Sequence, residues 1–269
     1  MALYDAAQLD HAAEQARAAR HAGTRVDARG SSITGATAAA LDTYEGALAA
    51  FQSWRSGAEA GVESALLQAP GFVMAHVLQA YMLLCSRDPV QVQSASAVLA
   101  RARSLPANER ERMHLAVIAD VLADDCEPAK TRLDLLLRLY PHDVLALQVG
   151  HAFDYLTGDI ERMQVRLAGV LPAWSRTLPG YHAVLAMHAF SLEECGDYGR
   201  AEDDARAALE LDPMDARAHH VMAHLFEMTQ RPETGIRWLS ENRERWGVGT
   251  VVATHCWWHL GLFLLASGQ

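Results

Sequence analysis

The sequence predicts an all-α protein, an α-solenoid of antiparallel helix pairs. The first observation is a proline period. Pro70, Pro106, Pro141, Pro179 and Pro213 are spaced by 36, 35, 38 and 34 residues, and each closes a helical run: ALLQAP, RARSLP, LLRLYP, WSRTLP, LELDP. Proline stops a helix and fixes the turn that follows. Pro89, Pro128 and Pro232 fall 19 to 22 residues after a closing proline. There each can start the second helix of a pair, where a missing N–H costs nothing. Two helices in such a period are the mark of a helical repeat. The second observation is composition: 51% of the residues are hydrophobic, mostly Ala and Leu, with only 7% aromatic. That mixture favours helix over sheet.

The elements follow in order. Residues 1–22 read as an Ala-rich amphipathic helix, and GTRVDARGSSITG (Gly23 to Gly35) as a linker by composition. Residues 1–35 are therefore an N-terminal extension, and 36–269 the repeat domain. Thr37 to Trp54 and Ala58 to Ala69 make the first pair. Phe72 to Cys85 and Val90 to Arg103 make the second, joined by Asp88-Pro89. Asn108 with Glu111 forms a capping box that opens the third. Asp143 to Leu156 and Ile160 to Leu171 flank the Gly158-Asp159 turn of the fourth. The fifth is Tyr181 to Cys195 with Tyr198 to Leu211; the sixth is Ala216 to Met228 with Pro232 to Arg243. Thr250 to Ala266 is a final first helix without a second. Its Trp257, Leu260, Phe263 and Leu264 form a face that a second copy, or a further C-terminal half of a longer protein, would cover.

Totals narrow the function classes. Net charge is −10, with 23 basic against 33 acidic residues and no block of like charge, which argues against nucleic acid and anionic membrane surfaces. Cys85, Cys126, Cys195 and Cys256 form no Cys-x-x-Cys pair and read as reduced, mostly buried thiols of a cytoplasmic protein. Asp5, Asp10 and Glu14 stand where a signal peptide needs an apolar run. The most apolar stretch, Trp257 to Ala266, is ten residues long and too short to span a bilayer. No nucleophile elbow and no Gly-rich phosphate loop is present.

The units resemble the tetratricopeptide repeat (TPR). With Pro213 as the closing proline, Ala201 and Ala208 fall on that repeat's small positions and Gly196 on its turn, and Trp257-x-x-Leu260-Gly261 matches its opening. Ala205 stands where that repeat has a large aromatic, and Gly235 where it has Ala. The runs FSLEECGDYGRAE, HHVMAHLFEMTQRPETGIRWL, HCWWHLGLFLLASG and RLYPHDVLAL, with the HAF triplets at His151 and His188, resemble the tetratricopeptide repeat protein 38 family. The resemblance implies a right-handed superhelix and no settled activity. It also implies that further helices follow this N-terminal part.

In such repeats the first helices line a concave groove, and Glu193, His220, His224, Glu227, His255 and Trp258 would point into it. His220/His224 and His255/His259 are i, i+4 pairs on adjacent first helices, whose axes pack roughly 8–10 Å apart. His220, His224, Glu227, His255 and His259 could together hold Zn²⁺ or Fe²⁺, or act as acid/base groups. Val221 after His220 breaks the His-Glu-x-x-His signature. The competing reading is a groove of polar aromatics that bind a peptide, a protein or a small ligand, and a third is a pure scaffold. His219 is expected to face solvent or its partner helix, His151 and His188 to serve packing, and Arg231 to pair with Glu193 or Glu194. Trp174 could cover a groove edge.

Overall fold

The computed structural model describes residues 25–86 and 88–268. The predicted helix over residues 1–22 lies outside them. Six helix pairs follow one another: α1 (Ala38–Gln52) with α2 (Ala58–Gln68), α3 (Val73–Cys85) with α4 (Pro89–Arg103), and α5 (Glu109–Leu122) with α6 (Cys126–Leu139). Then come α7 (Val144–Leu156) with α8 (Ile160–Val170), α9 (Tyr181–Glu194) with α10 (Tyr198–Leu211), and α11 (Ala216–Met228) with α12 (Pro232–Glu241). A one-turn helix, α13 (Arg243–Trp246), leads to α14 (Ala253–Ala266), a first helix with no second among the described residues. The helices of each pair pack on each other and on the next pair, and first helices also touch, as α9 does α11 and α11 does α14, so the described residues form an all-α solenoid of helix pairs. No helix among the described residues is long and apolar enough to cross a membrane.

Local chemistry explains the element ends. The Asn108–Glu111 capping box is formed in both directions, and Pro89 sits at the start of α4 behind the Asp88 cap. The first helices of the third to sixth pairs all end on a left-handed residue at the same place: Asp124, Gly158, Gly196 and Gln230. Glycine takes that backbone without strain, and the other two hold it because the next helix must reverse direction there. Ala201, Ala205 and Ala208 are fully buried where α10 lies on α9, so small side chains set the close approach of the two helices. Gly235 departs from the repeat pattern for a visible reason. A Cβ there would sit 2.4 Å from the Phe263 ring, so α14 plants its phenylalanine in the notch.

Histidine also has a structural habit in this fold. His76 and His219 each place Nε2 3.0 Å from the carbonyl of the closing proline six residues earlier, Pro70 and Pro213. His114 and His182 contact Asp143 and Asp215, the carboxylates that cap the next first helix, at 2.9 and 2.7 Å. His188 contacts Asp204 at 2.6 Å. In each case a ring nitrogen meets an oxygen. His219 is buried and packs against Trp238 of its partner helix, and His151 is buried beside Phe190. Trp174 is a buried clamp, its Nε1 donating to the Pro141 carbonyl.

Several expectations are corrected. Residues 25–35, read as a linker, form a hairpin of β1 (Arg25–Val26) and β2 (Ser32–Ile33) docked on the first three pairs. Ile33 is fully buried, Arg29 pairs with Glu45 at 2.8 Å, and Thr34 N–H donates to Glu111 at 2.7 Å. Gly35 (φ +79) lies against the Gly71 carbonyl, where a Cβ would be only 1.9 Å from the oxygen. The thiols are not mostly buried: Cys256 is, whereas Cys85 and Cys195 are exposed and Cys126 is intermediate. On α14, Phe263 is buried and Leu260 and Leu264 are partly covered; the open residues are Trp257, Trp258 and Leu265. The face stays apolar, but it is rotated from the one expected.

The turn after α1 closes the solenoid on itself. Ala216 N–H donates to the Ser53 carbonyl at 3.2 Å, Val251 N–H to Trp54 at 2.9 Å, and Ser56 N–H to Gly249 at 2.7 Å. Gln148 reaches the Phe51 carbonyl. The first pair therefore touches the fourth, the sixth and the approach to α14. With this turn across it, α9 is buried on nearly every side from Ala183 to Glu193.

Candidate functional site

His220 and His224 stand one turn apart on α11, and His255 and His259 one turn apart on α14. The two helices lie side by side, and one ring nitrogen from each of the four histidines falls within 4.8 Å of all the others. His255 Nε2 is 3.3 Å from His224 Nε2 and 3.0 Å from His259 Nε2. Unlike the histidines above, these turn ring nitrogens toward one another. A neutral imidazole offers one donor and one acceptor, so this cluster cannot saturate itself.

Two carboxylates stand behind the rings. Glu227 Oε2 accepts from His259 Nδ1 at 2.6 Å, and Glu193 Oε2 lies 3.6 Å from His224 Nδ1. Glu193 is buried and its Oε2 has no hydrogen-bond partner; His220 Nδ1 is buried and equally unpartnered. Glu227 was expected among the converging groups; it instead holds His259 from behind, on its Nδ1 side. Burial pushes the His259 ring down to about 3, with His224 and His255 adding to the shift, and pushes His220 well below its ordinary value in the same way. His255 is lowered by burial and by His224. Burial, then Glu193, raises the Glu194 carboxyl. These three histidines are thus held neutral by their surroundings.

Aromatic rings frame the cluster. Phe190 stacks on His220 at 6.1 Å, and Trp258, 55% exposed, stacks on His255 at 5.5 Å. On the inner side, Trp54 lies 5.7 Å from His220 and beneath the Arg217 guanidinium at 4.2 Å. Sequence reasoning missed Trp54 and Arg217. Trp54 belongs to a turn between two helices, and no local pattern says that this turn meets a helix more than 160 residues later, as the Arg217 contact to the Gln52 carbonyl shows. Arg231 pairs with Glu202 at 2.6 Å rather than with Glu193 or Glu194.

Two cavities lie away from the cluster. One is a water-sized void of about 10 Å³ between Arg29, Arg110 and Asp143; the other is a cleft of about 530 Å³ beside Pro106 and Arg112. Tyr81, His114 and Asp143 line up as hydroxyl, imidazole and carboxylate, in contact at 3.1 and 2.9 Å. All three are buried, so the row is a core network.

No family model matches the chain. Among solved structures it is similar to the APC/C hetero-tetramer Cut9-Hcn1, with a TM-score of 0.51 and 18% identity over 77% of this chain and 39% of that one. It is also similar to the MamA RS-1 ArsTM double mutant, at 0.46 and 17% over 60% and 85% of the two chains. The P58(IPK) TPR domain follows at 0.38 and 14%, over 86% and 64%. At such identities the first likeness bears on the fold alone, and it agrees with the all-α solenoid described above.

Proposed function

We propose that this chain is a helical-repeat recognition protein whose contact surface is the histidine end of its inner face. The observation that carries the reading is how that face is divided. At Arg217 and His220 it is filled by the chain's own Trp54 turn, while beyond them His255, Trp258 and Met228 remain exposed. Glu194 and Glu227 are exposed on the same flank, so the surface offers stacking rings beside carboxylates. That chemistry suits a peptide or protein segment carrying basic and aromatic side chains. The resemblance to the tetratricopeptide repeat protein 38 family belongs to this reading and adds no activity to it. The enzyme alternative would use the same imidazoles as acids and bases; rings held neutral by burial are poor proton donors near neutral pH.

The test uses fluorescently labelled peptides that pair Arg or Lys with Trp or Tyr, against acidic peptides of equal length. The basic set is expected to bind, and Trp258→Ala to weaken it by about tenfold, the loss of one stacked anchor. Leu67→Ala, 84% exposed on α2, serves as the control and should change nothing. Equal binding by Trp258→Ala and wild type, or no preference for basic peptides, would remove this surface from the account.

A further inference from the structure

We propose that His220, His224, His255 and His259 form an all-imidazole tetrahedral site for one divalent ion of the zinc class, which ties α14 to α11. This goes beyond the recognition reading and stands or falls separately from it.

The distances fit. Zn–N bonds of about 2.0–2.1 Å in a tetrahedron place the ligand nitrogens about 3.3–3.4 Å apart and the ring centres about 5 Å apart. The two measured nitrogen separations are 3.3 and 3.0 Å, and the six ring-centre separations run from 4.3 to 6.2 Å. Three of the pairs lie between 4.5 and 4.9 Å, and one nitrogen of each ring lies within 4.8 Å of the other three.

The tautomers fit as well. Glu227 accepts the Nδ1 proton of His259, which leaves the Nε2 lone pair facing the other rings. Glu193, buried and unpartnered at Oε2, stands 3.6 Å from His224 Nδ1, on the side of the ring where Glu227 meets His259. A carboxylate behind a ligating imidazole is the usual outer support of such sites, since it orients the ring and makes it more basic. His220 gains a bond that the surrounding protein does not offer its buried ring.

The donor set selects the ion. Four neutral nitrogens suit Zn²⁺ or Co²⁺; they lack the oxygens that Mg²⁺ and Ca²⁺ need and the carboxylate of the two-histidine iron sites. The neighbouring Cys256 is fully buried, and its sulfur is not among the converging atoms. An ion here also has a mechanical role. With no second helix of its own among the described residues, α14 is held by the Phe263 notch at one end and would be held by metal at the other.

The chain, stripped with a chelator, is titrated with Zn²⁺ against a chromophoric chelator and separately with Co²⁺. One equivalent of Zn²⁺ is expected, with a rise in Tm, and Co²⁺ should show the intense visible bands of four-coordinate cobalt. His255 is exposed, so His255→Ala should keep its helix content and lose stoichiometric binding. Glu227→Gln, also at an exposed position, should retain the site and bind about 10–100-fold more weakly. His142→Ala, in the turn between the third and fourth pairs, should bind as wild type. The absence of Zn²⁺ binding, a six-coordinate cobalt spectrum, or full binding by His255→Ala would each overturn the proposal.

Discussion

Replacing Asp143 by alanine is expected to destabilise the protein by about 3–5 kcal/mol, the range for leaving a buried charge without its partner. Asp143 is 3% exposed and does three things at once. Its Oδ2 accepts from Arg110 at 2.6 Å and contacts His114 Nε2 at 2.9 Å, while its Oδ1 caps α7 through the Ala146 N–H at 2.9 Å. Removing it leaves Arg110, whose Nε and Nη2 already lack hydrogen-bond partners, with only the Asp27 carboxylate at 3.8 Å. Asp143→Asn retains the cap and should cost less. Burial alone would raise the Asp143 carboxyl, but His114 and Arg110 outweigh it and hold it far below the usual carboxylate range. A folded value below the unfolded one, about 3.9, means that the stabilisation is present above that pH and lost as pH falls below it. Urea unfolding at pH 7 and pH 3 should show a large gap between wild type and variant at pH 7 and a smaller one at pH 3. An equal gap at both would contradict the ion-pair assignment.

Phe263→Ala is expected to cost about 3–5 kcal/mol, and to act locally. Its ring occupies the space of the missing Gly235 Cβ and is 3% exposed. A solenoid is stabilised by contacts between neighbouring units, so a helix that loses its anchor loosens at that contact first. Hydrogen exchange should therefore speed up in α14 and the Gly247–Val251 approach while α3 to α8 keep their protection. Gly235→Ala attacks the same contact from the other side, because three ring atoms lie within 3 Å of the new methyl. Uniform loss of protection along the chain in either variant would refute the local anchor.

The helix pairs were legible because their signals are local. Proline and the Asn108–Glu111 box act within a turn or two, and the observed helices begin and end within a few residues of those marks. The histidine convergence was legible too, since two i, i+4 pairs on adjacent first helices have few other places to go. What escaped depends on distance in the chain. Two-residue strands carry no alternating pattern, so the hairpin read as linker until Glu111 and Gly71 were seen to hold it. Arg231 stands in the turn before Pro232, where no helical period applies, and the choice of Glu202 over Glu193 is made by the packing of α10. Likewise Glu227 was read as one of the converging groups, and only geometry shows that it meets His259 Nδ1 from behind.

The histidine cluster is tested most directly by X-ray absorption at the zinc edge on the zinc-loaded protein. Four nitrogen ligands at about 2.0–2.1 Å, with the outer-shell scattering of imidazole rings, are the expected result. A shell containing sulfur, one dominated by carboxylate oxygen, or six-fold coordination would contradict the assignment to His220, His224, His255 and His259.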